Sequence, residues 1–371
     1  MRDKIRGSLF GGAIGDALGY PVEFLRSKEI FRRYGEKGIC AYRLQDGQAL
    51  ISDDTQMSLF TACGILYGDT RARMRGMGAS MAAYIYEAYL DWLSTQRGVR
   101  PEEKVSWLCN VPALYSLRAP GNTCLEALGS GQMGTIKKPV INSKGCGGIM
   151  RVAPVALYFK NTETKDRISY VDQLGAAAAA ITHGHPLGWL PSAALVHVIS
   201  RLVYGGRTYG QGLRDILREC EDTLLDLFGD GEDMQNLFHL IALAEKLAEN
   251  DRPDVENIEK LGGGWVAEET LAIALYCCLR YPDDFDKALI ASVNHGGDSD
   301  STGAVAGNIM GAVCGYDRIA ERWKAELELK DVILEIADDL ADGCRMWEFS
   351  DYTDEKWAHK YIHCDYTPER E

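Results

Sequence analysis

The sequence contains no CxxC pair and no Pro/Gly/Ser-rich linker. It has no excess of basic residues, and no uninterrupted apolar run approaches the ~20 residues that cross a bilayer. Each absence closes a class. Without CxxC there is neither a zinc ribbon nor a thioredoxin motif. The 11 cysteines are odd in number and scattered from Cys40 to Cys364, which reads as reduced, buried thiols in a cytoplasmic protein. Bases number 40 against 54 acids, a formal charge of −14. Neither bulk nucleic-acid binding nor docking on an anionic membrane fits that balance. The Leu9–Leu18 segment has a basic flank, but Asp16 interrupts it and no small-residue cleavage site precedes Glu23. No secretory leader is expected there.

Strict alternation of Val, Ile and Thr is also scarce. Residues 152–159 make the best strand candidate, and Pro154 weakens it. Helical signals dominate instead: residues 258–279, 175–182 with five consecutive alanines, and 332–340 are rich in helix formers. Residues 195–203 and 237–247 repeat apolar positions at spacings of three and four. The expected fold is all-α, a compact multi-helix domain over residues 1–342, with a C-terminal extension over 343–371. The 39 glycines are unevenly placed. Gly7, Gly11, Gly15 and Gly19 recur every four residues, as do Gly303, Gly307, Gly311 and Gly315. On a helix each set forms one stripe. Each interior glycine costs about 0.5–1 kcal/mol relative to alanine, so the stripes call for close backbone packing in return.

Three acidic motifs adjoin these stripes. Asp16 and Glu23 lie in GDALGYPVEF; Ser52, Asp53 and Asp54 begin SDDTQMSL; Asp298 and Asp300 lie in HGGDSDST. Helix capping alone explains many such acids. Asp298 and Asp300, however, are two apart and would not share a helical face, so a loop presents them to a cation better. Hydroxyls beside carboxylates give the all-oxygen donor set that suits Mg²⁺ or Mn²⁺. If the loops converge, four carboxylates meet, and two cations would be natural.

Seven segments together resemble the ADP-ribosylglycohydrolase family, which includes the dinitrogenase reductase-activating glycohydrolase and the vertebrate ADP-ribosylhydrolases. They are GDALGYPVEF (15–24), SDDTQMSL (52–59), PGNTCLEAL (120–128), GCGGIMRVAPVAL (145–157), THGHP (182–186), GWVAEETLAIALY (264–276) and HGGDSDSTGAVAGNIMGA (295–312). They occur in the family's order, and the resemblance runs from Gly7 to about Gly315. It implies an all-helical fold and a cleft holding two divalent cations, Mg²⁺ or Mn²⁺. The ligands it implies are Ser52, Asp53, Asp54, Asp298, Asp300 and Ser301. Glu23 matches a glutamate implicated in catalysis, and either Glu23 or Asp54 is the expected general acid or base. Gly145, Gly147 and Gly148 match a phosphate-binding loop, with His183 near the phosphates or ribose. Asp16, His185 and His295 are expected to brace or cap, and Arg151 to meet either a phosphate or a structural carboxylate.

The implied reaction releases ADP-ribose from a modified acceptor, most naturally a protein side chain such as arginine. Arginine-directed relatives often carry an acid just before the glycine matching Gly121, where this chain has Ala119-Pro120. Asp91 is a substitute candidate, against the plainer reading of a solvated helix acid. Two alternatives stand beside the hydrolase: a non-catalytic ADP-ribose-binding or structural member, and a hydrolase of another ADP-ribosylated small molecule or nucleic acid.

Overall fold

The computed structural model describes residues 1–76, 78, 80–160, 165–205 and 211–368. Among them are seventeen α-helices and four short 3-10 helices, with no strand pairing beyond four isolated bridges. The fold is all-α. Five helices position the site: α1 (Arg2–Gly19), α2 (Asp53–Arg75), α3 (Pro186–Tyr204), α4 (Ala267–Arg280) and α5 (Ser299–Cys314).

The two glycine stripes meet each other. A Cβ at Gly7, Gly11, Gly15 or Gly19 would overlap the backbone oxygen of Gly311, Gly307, Gly303 or Ser299 respectively. As the first number rises the second falls in step, so α1 and α5 run antiparallel with their backbones in contact. The loss of helix propensity is offset by dispersion along the whole seam. Ser8 donates to the Asn308 carbonyl at 2.9 Å, and the Asn308 amide donates back to the Ser8 carbonyl at 2.8 Å, which pins the register. Gly315 closes the seam against Gly7, whose Cβ would come within 2.7 Å of its carbonyl carbon, and its φ of 77° ends α5. The seam sets the C-terminus of α1 beside the N-terminus of α5.

Helix α3 has 19 residues and a mean hydropathy of 1.2, enough by length and composition to span a bilayer, yet 89% of its apolar window is buried inside the fold. It is a core helix, with His197 fully buried and 2.8 Å from Asp172. All eleven cysteines are free, and eight are buried.

Two expectations about local structure are corrected. Residues 152–159 are no strand; Ala153–Tyr158 is a helix with Pro154 in its first turn, where the missing N–H costs no helical hydrogen bond. Residues 258–279 do not form one helix. The chain breaks between Asp254–Leu261 and α4 because Gly262 and Gly264 take φ of 124° and 77°, and Glu269 accepts the N–H groups of Gly263 and Gly264. That break has a use: the Gly263 carbonyl accepts the Asp298 N–H at 2.8 Å.

Beyond Gly343 the chain folds back onto the body. In the helix Glu355–Tyr361, Trp357 donates to Thr70 at 2.9 Å, and Lys360 lies 2.6 Å from Asp339 and 2.9 Å from Glu335. Asn110 donates to the carbonyls of Cys364 and Tyr366.

Candidate active site

Capping and site-building prove to be the same act. Ser52 caps α2, its hydroxyl accepting from the Asp54 N–H at 3.2 Å, and Asp298 caps α5. Asp53, Asp54 and Asp300 follow in the first turns. The picture of Asp298 and Asp300 on a free loop is therefore corrected. Asp298 holds the non-helical N-cap backbone, φ −76° and ψ 77°, so two acids only two residues apart still face one cleft. Asp16, fully buried on α1, accepts the N–H groups of Ser52 and Thr55 and thereby ties α2 to α1. Glu23 lies just past the end of α1, which the glycine seam delivers to α5.

An open cleft of about 360 Å³ results. Its acidic wall is Glu23, Asp53, Asp54, Asp298 and Asp300 with Ser301; the facing wall is Gly145, Cys146, Gly147 and His183. Ser52 lies beneath this surface, and Gly148 points away, packed on Ala179 and Gly188. Glu23, Asp298 and Asp300 present oxygens within 4.8 Å of one another. Ser301 Oγ donates to the Asp54 carboxylate at 3.0 Å, and Asp53 accepts the Gly121 N–H at 3.2 Å. Glu23 is 7% exposed, and its Oε2 has no hydrogen-bond partner.

A family profile described as ADP-ribosylglycohydrolase matches residues 1–349. The chain belongs to the ADP-ribosylglycohydrolase family. The ADP-ribosyl-[dinitrogen reductase] glycohydrolase of Rhodospirillum rubrum is 29% identical over 339 residues, covering 89% of this chain and 92% of the relative. ADP-ribosylhydrolase ARH3 of Homo sapiens is 28% identical over 203 residues, 50% of this chain and 54% of that protein. The solved structure of an ADP-ribosylglycohydrolase-related protein complex superposes with a TM-score of 0.56 at 23% identity, covering 92% of this chain and 98% of that one. At that identity the structural likeness speaks for the fold alone. Family membership makes this chain a glycosidic-bond hydrolase.

The electrostatics of this ADP-ribosylglycohydrolase cleft are lopsided. Burial first, and the charge of Asp300 second, push the carboxyls of Glu23, Asp53, Asp54 and Asp298 above their ordinary range. Among the described residues, no Lys or Arg lines the cleft. Burial disfavours the charged forms of these acids unless positive charge is brought in, and the oxygen donors with an orphaned Glu23 oxygen fit a hard divalent cation.

The facing wall is neutral. Burial, and then the nearby Arg151, bring the His183 imidazole down to about 3. His183 therefore meets a ligand as an uncharged hydrogen-bonding group, with Nδ1 2.8 Å from Thr182 Oγ1. In the glycine loop, the Gly145 and Cys146 N–H groups are already taken by Ser143 Oγ and the Trp265 carbonyl. A phosphate cradle there cannot use those two amides. Gly147 has to be glycine, since a Cβ would sit 2.9 Å from Cys124 Sγ and 3.0 Å from the His183 ring.

Arg151 contradicts both readings made of it. It is fully buried, stacked over Tyr89 and bonded to Thr182 Oγ1 and the Ala178 carbonyl, touching neither the cleft nor a carboxylate among the described residues. Asp91 is neither solvated nor near the cleft; it is 5% exposed and accepts the N–H groups of Val105 and Ser106. His185 caps α3 and His295 bonds Thr302 at 2.8 Å, both bracing roles. Sequence reasoning missed three features: the Cys146 thiol beside Asp298, and the stacked rings of Phe24 and Trp265 at the cleft. Each sits inside one of the quoted motifs.

Proposed function

We propose that this chain hydrolyses the bond between the anomeric carbon of an ADP-ribosyl group and a protein side chain, using two divalent cations, Mg²⁺ or Mn²⁺. Ser52, Asp53 and Asp54 on α2 would hold them together with Asp298, Asp300 and Ser301 on α5. One observation carries the reading: two helix N-termini and the end of α1 converge to put five carboxylates around a single open cleft, with no Lys or Arg among its described lining residues. When bound, the cations supply the positive charge that orients ribose hydroxyls and polarises water.

The chain's own groups do the rest. Glu23 Oε2 has no partner and faces the cleft, whereas both Asp54 oxygens accept from Ser301 Oγ. Glu23 is therefore the group to take the proton from the attacking water. The water oxygen bonds the anomeric carbon, the bond to the acceptor breaks with its electron pair, and the acceptor leaves with the proton that Glu23 took from the water. Carboxylates on the acidic wall favour the positive charge that develops at that carbon. His183, neutral, positions rather than neutralises the diphosphate. The Asp53 contact to Gly121 couples the acidic wall to the Ala119–Gly121 loop, placed to line the acceptor side.

The test is incubation with Mn²⁺ or Mg²⁺ and ADP-ribosylated arginine, serine and nucleic-acid substrates, with ADP-ribose release as the readout. Release from a protein side chain is expected, falling ~10²–10⁴-fold in Glu23→Gln. Cation binding without release from any substrate would overturn the hydrolase reading. Release from nucleic acid alone would overturn the choice of acceptor.

A further inference from the structure

The surface that begins in the cleft continues past its aromatic mouth. Phe24 and Ala119 line the cleft and also line a second open cavity of about 530 Å³, walled further by Tyr20, Arg43, Leu44 and Leu50. These two residues are the common border of the cavities. Phe24 stays 71% exposed although it stacks on Trp265, and Leu44 stays 41% exposed, so the fold leaves apolar surface uncovered beside the site.

Both walls of this groove are held in place. On one side, Gln45 and Gln48 exchange backbone hydrogen bonds at 2.8 and 3.0 Å across a tight turn in which Asp46 and Gly47 take positive φ. The chain around that turn is tied to residues 323–328. Tyr42 OH donates to the Trp323 carbonyl at 2.9 Å, the Ala49 N–H donates to the Glu326 carbonyl at 2.7 Å, and the Glu328 N–H donates back to the Ala49 carbonyl at 3.0 Å. On the other side, Asp53 donates its N–H to the Arg118 carbonyl and accepts the Gly121 N–H, so it brackets Ala119. Ala119 is held at a φ of 53°, a strained region for a residue with a Cβ. A groove whose walls are fixed in advance loses little to ordering when a ligand enters.

Charge decides the occupant. Arg43 is the one charged side chain on the groove's described lining, and it has no hydrogen-bond or ion-pair partner among the described residues. The adjoining cleft is its opposite, with five carboxylates and no Lys or Arg among its described lining residues. A lone guanidinium amid apolar walls suits one carboxylate of a peptide; the repeating phosphates of a nucleic acid call for a basic stripe. We propose that this groove receives the acceptor polypeptide, seating an apolar side chain among Tyr20, Phe24 and Leu44 and an acidic side chain on Arg43. The enzyme then favours acceptors whose modified residue lies close in sequence to Asp or Glu. The proposal rests on the reading that the acceptor is a protein side chain.

The probes are peptides bearing one ADP-ribosylated arginine or serine, flanked by Asp, Ala or Lys within about three residues, a reach of about 10 Å of extended chain. Release of ADP-ribose by the full chain under Mn²⁺ gives KM and kcat/KM for each. Wild type should show a KM at least about tenfold lower for Asp-flanked than for Lys-flanked peptides. Arg43→Glu should reverse that order, and Arg43→Lys should keep it in weaker form because a point charge replaces the guanidinium fork. A reversal cannot come from lost stability, which would slow every peptide alike. Equal KM values across the flanks, or a preference for Lys, would overturn the groove and leave the hydrolase reading standing. An unchanged preference in Arg43→Glu would do the same. Release from ADP-ribosylated nucleic acid alone, weakened by Arg43→Glu, would overturn the choice of occupant. If Mn²⁺ binds but no substrate releases ADP-ribose, the hydrolase reading falls and the groove's role falls with it.

Discussion

Asp300 is the residue whose charge weighs on most of its neighbours, being the leading electrostatic cause of the raised affinity for protons at Glu23, Asp53, Asp54 and Asp298. Asp300→Asn should therefore stabilise the chelator-treated protein while removing its response to cations. Roughly 1–3 °C of gain in Tm is expected in EDTA, with no further rise on adding Mn²⁺; a loss of Tm in EDTA would contradict the repulsion argument. Asp91 gives a second, independent handle. Burial pushes its carboxyl up to about 7, against the opposing pull of two backbone N–H donors. The folded state then holds that proton more tightly than the unfolded chain, so it is favoured at low pH and loses this contribution as pH rises from about 4 to about 7. Asp91→Asn should gain on wild type by ~2–4 kcal/mol between pH 4 and pH 8, measured by urea unfolding at each pH. At this scale the sequence was most informative where chemistry is local. The carboxylates and their hydroxyl neighbours stand in short motifs, and the cleft gathers them. Arg151 and Asp91 were not legible, because what they touch lies across the fold: Arg151 reaches Tyr89 and Thr182, and Asp91 reaches residues 105–106.

Among the elements, α1 and α5 do the positioning. Their glycines were readable because a period of four marks a helix face, but that one stripe would meet the other is long-range information with no local sign. The break at Gly262–Val266 was masked by the helix formers on both sides of it, and its use, the carbonyl bond to Asp298, is a long-range contact. Gly307→Ala would drive a Cβ into the backbone of Gly11. Destabilisation by ~2–4 kcal/mol is expected, together with weakened cation binding as the end of α1 moves from α5. Gly231→Ala is the control: nothing lies within 4 Å of its Cβ and its φ is −90°, so the change should stay under about 1 kcal/mol. Equal effects of the two substitutions, read from chemical unfolding, would dismiss the seam as the reason for the glycines.

Across the whole molecule the acidity divides into two parts. Most of the −14 is surface charge; the share that matters is concentrated where α2 and α5 begin. The segment beyond Gly343 belongs to the stability of the body and lies away from the cleft. Lys360, 3% exposed, answers Asp339 and Glu335 together. Lys360→Met should cost ~2–3 kcal/mol by leaving half-buried Asp339 without its cation, Glu335 keeping Lys356, and adding Asp339→Asn should restore part of it. No recovery in the double variant would show that the lysine acts through packing alone.

The α1–α5 seam also fixes when activity can begin. It joins Arg2–Gly19 to a helix that is finished only at Cys314. During synthesis α1 must wait, its glycine face uncovered, until everything between Gly19 and Ser299 has been made and its mate emerges. No product that stops short of α5 can assemble the acidic cleft, so competence for hydrolysis waits on that helix.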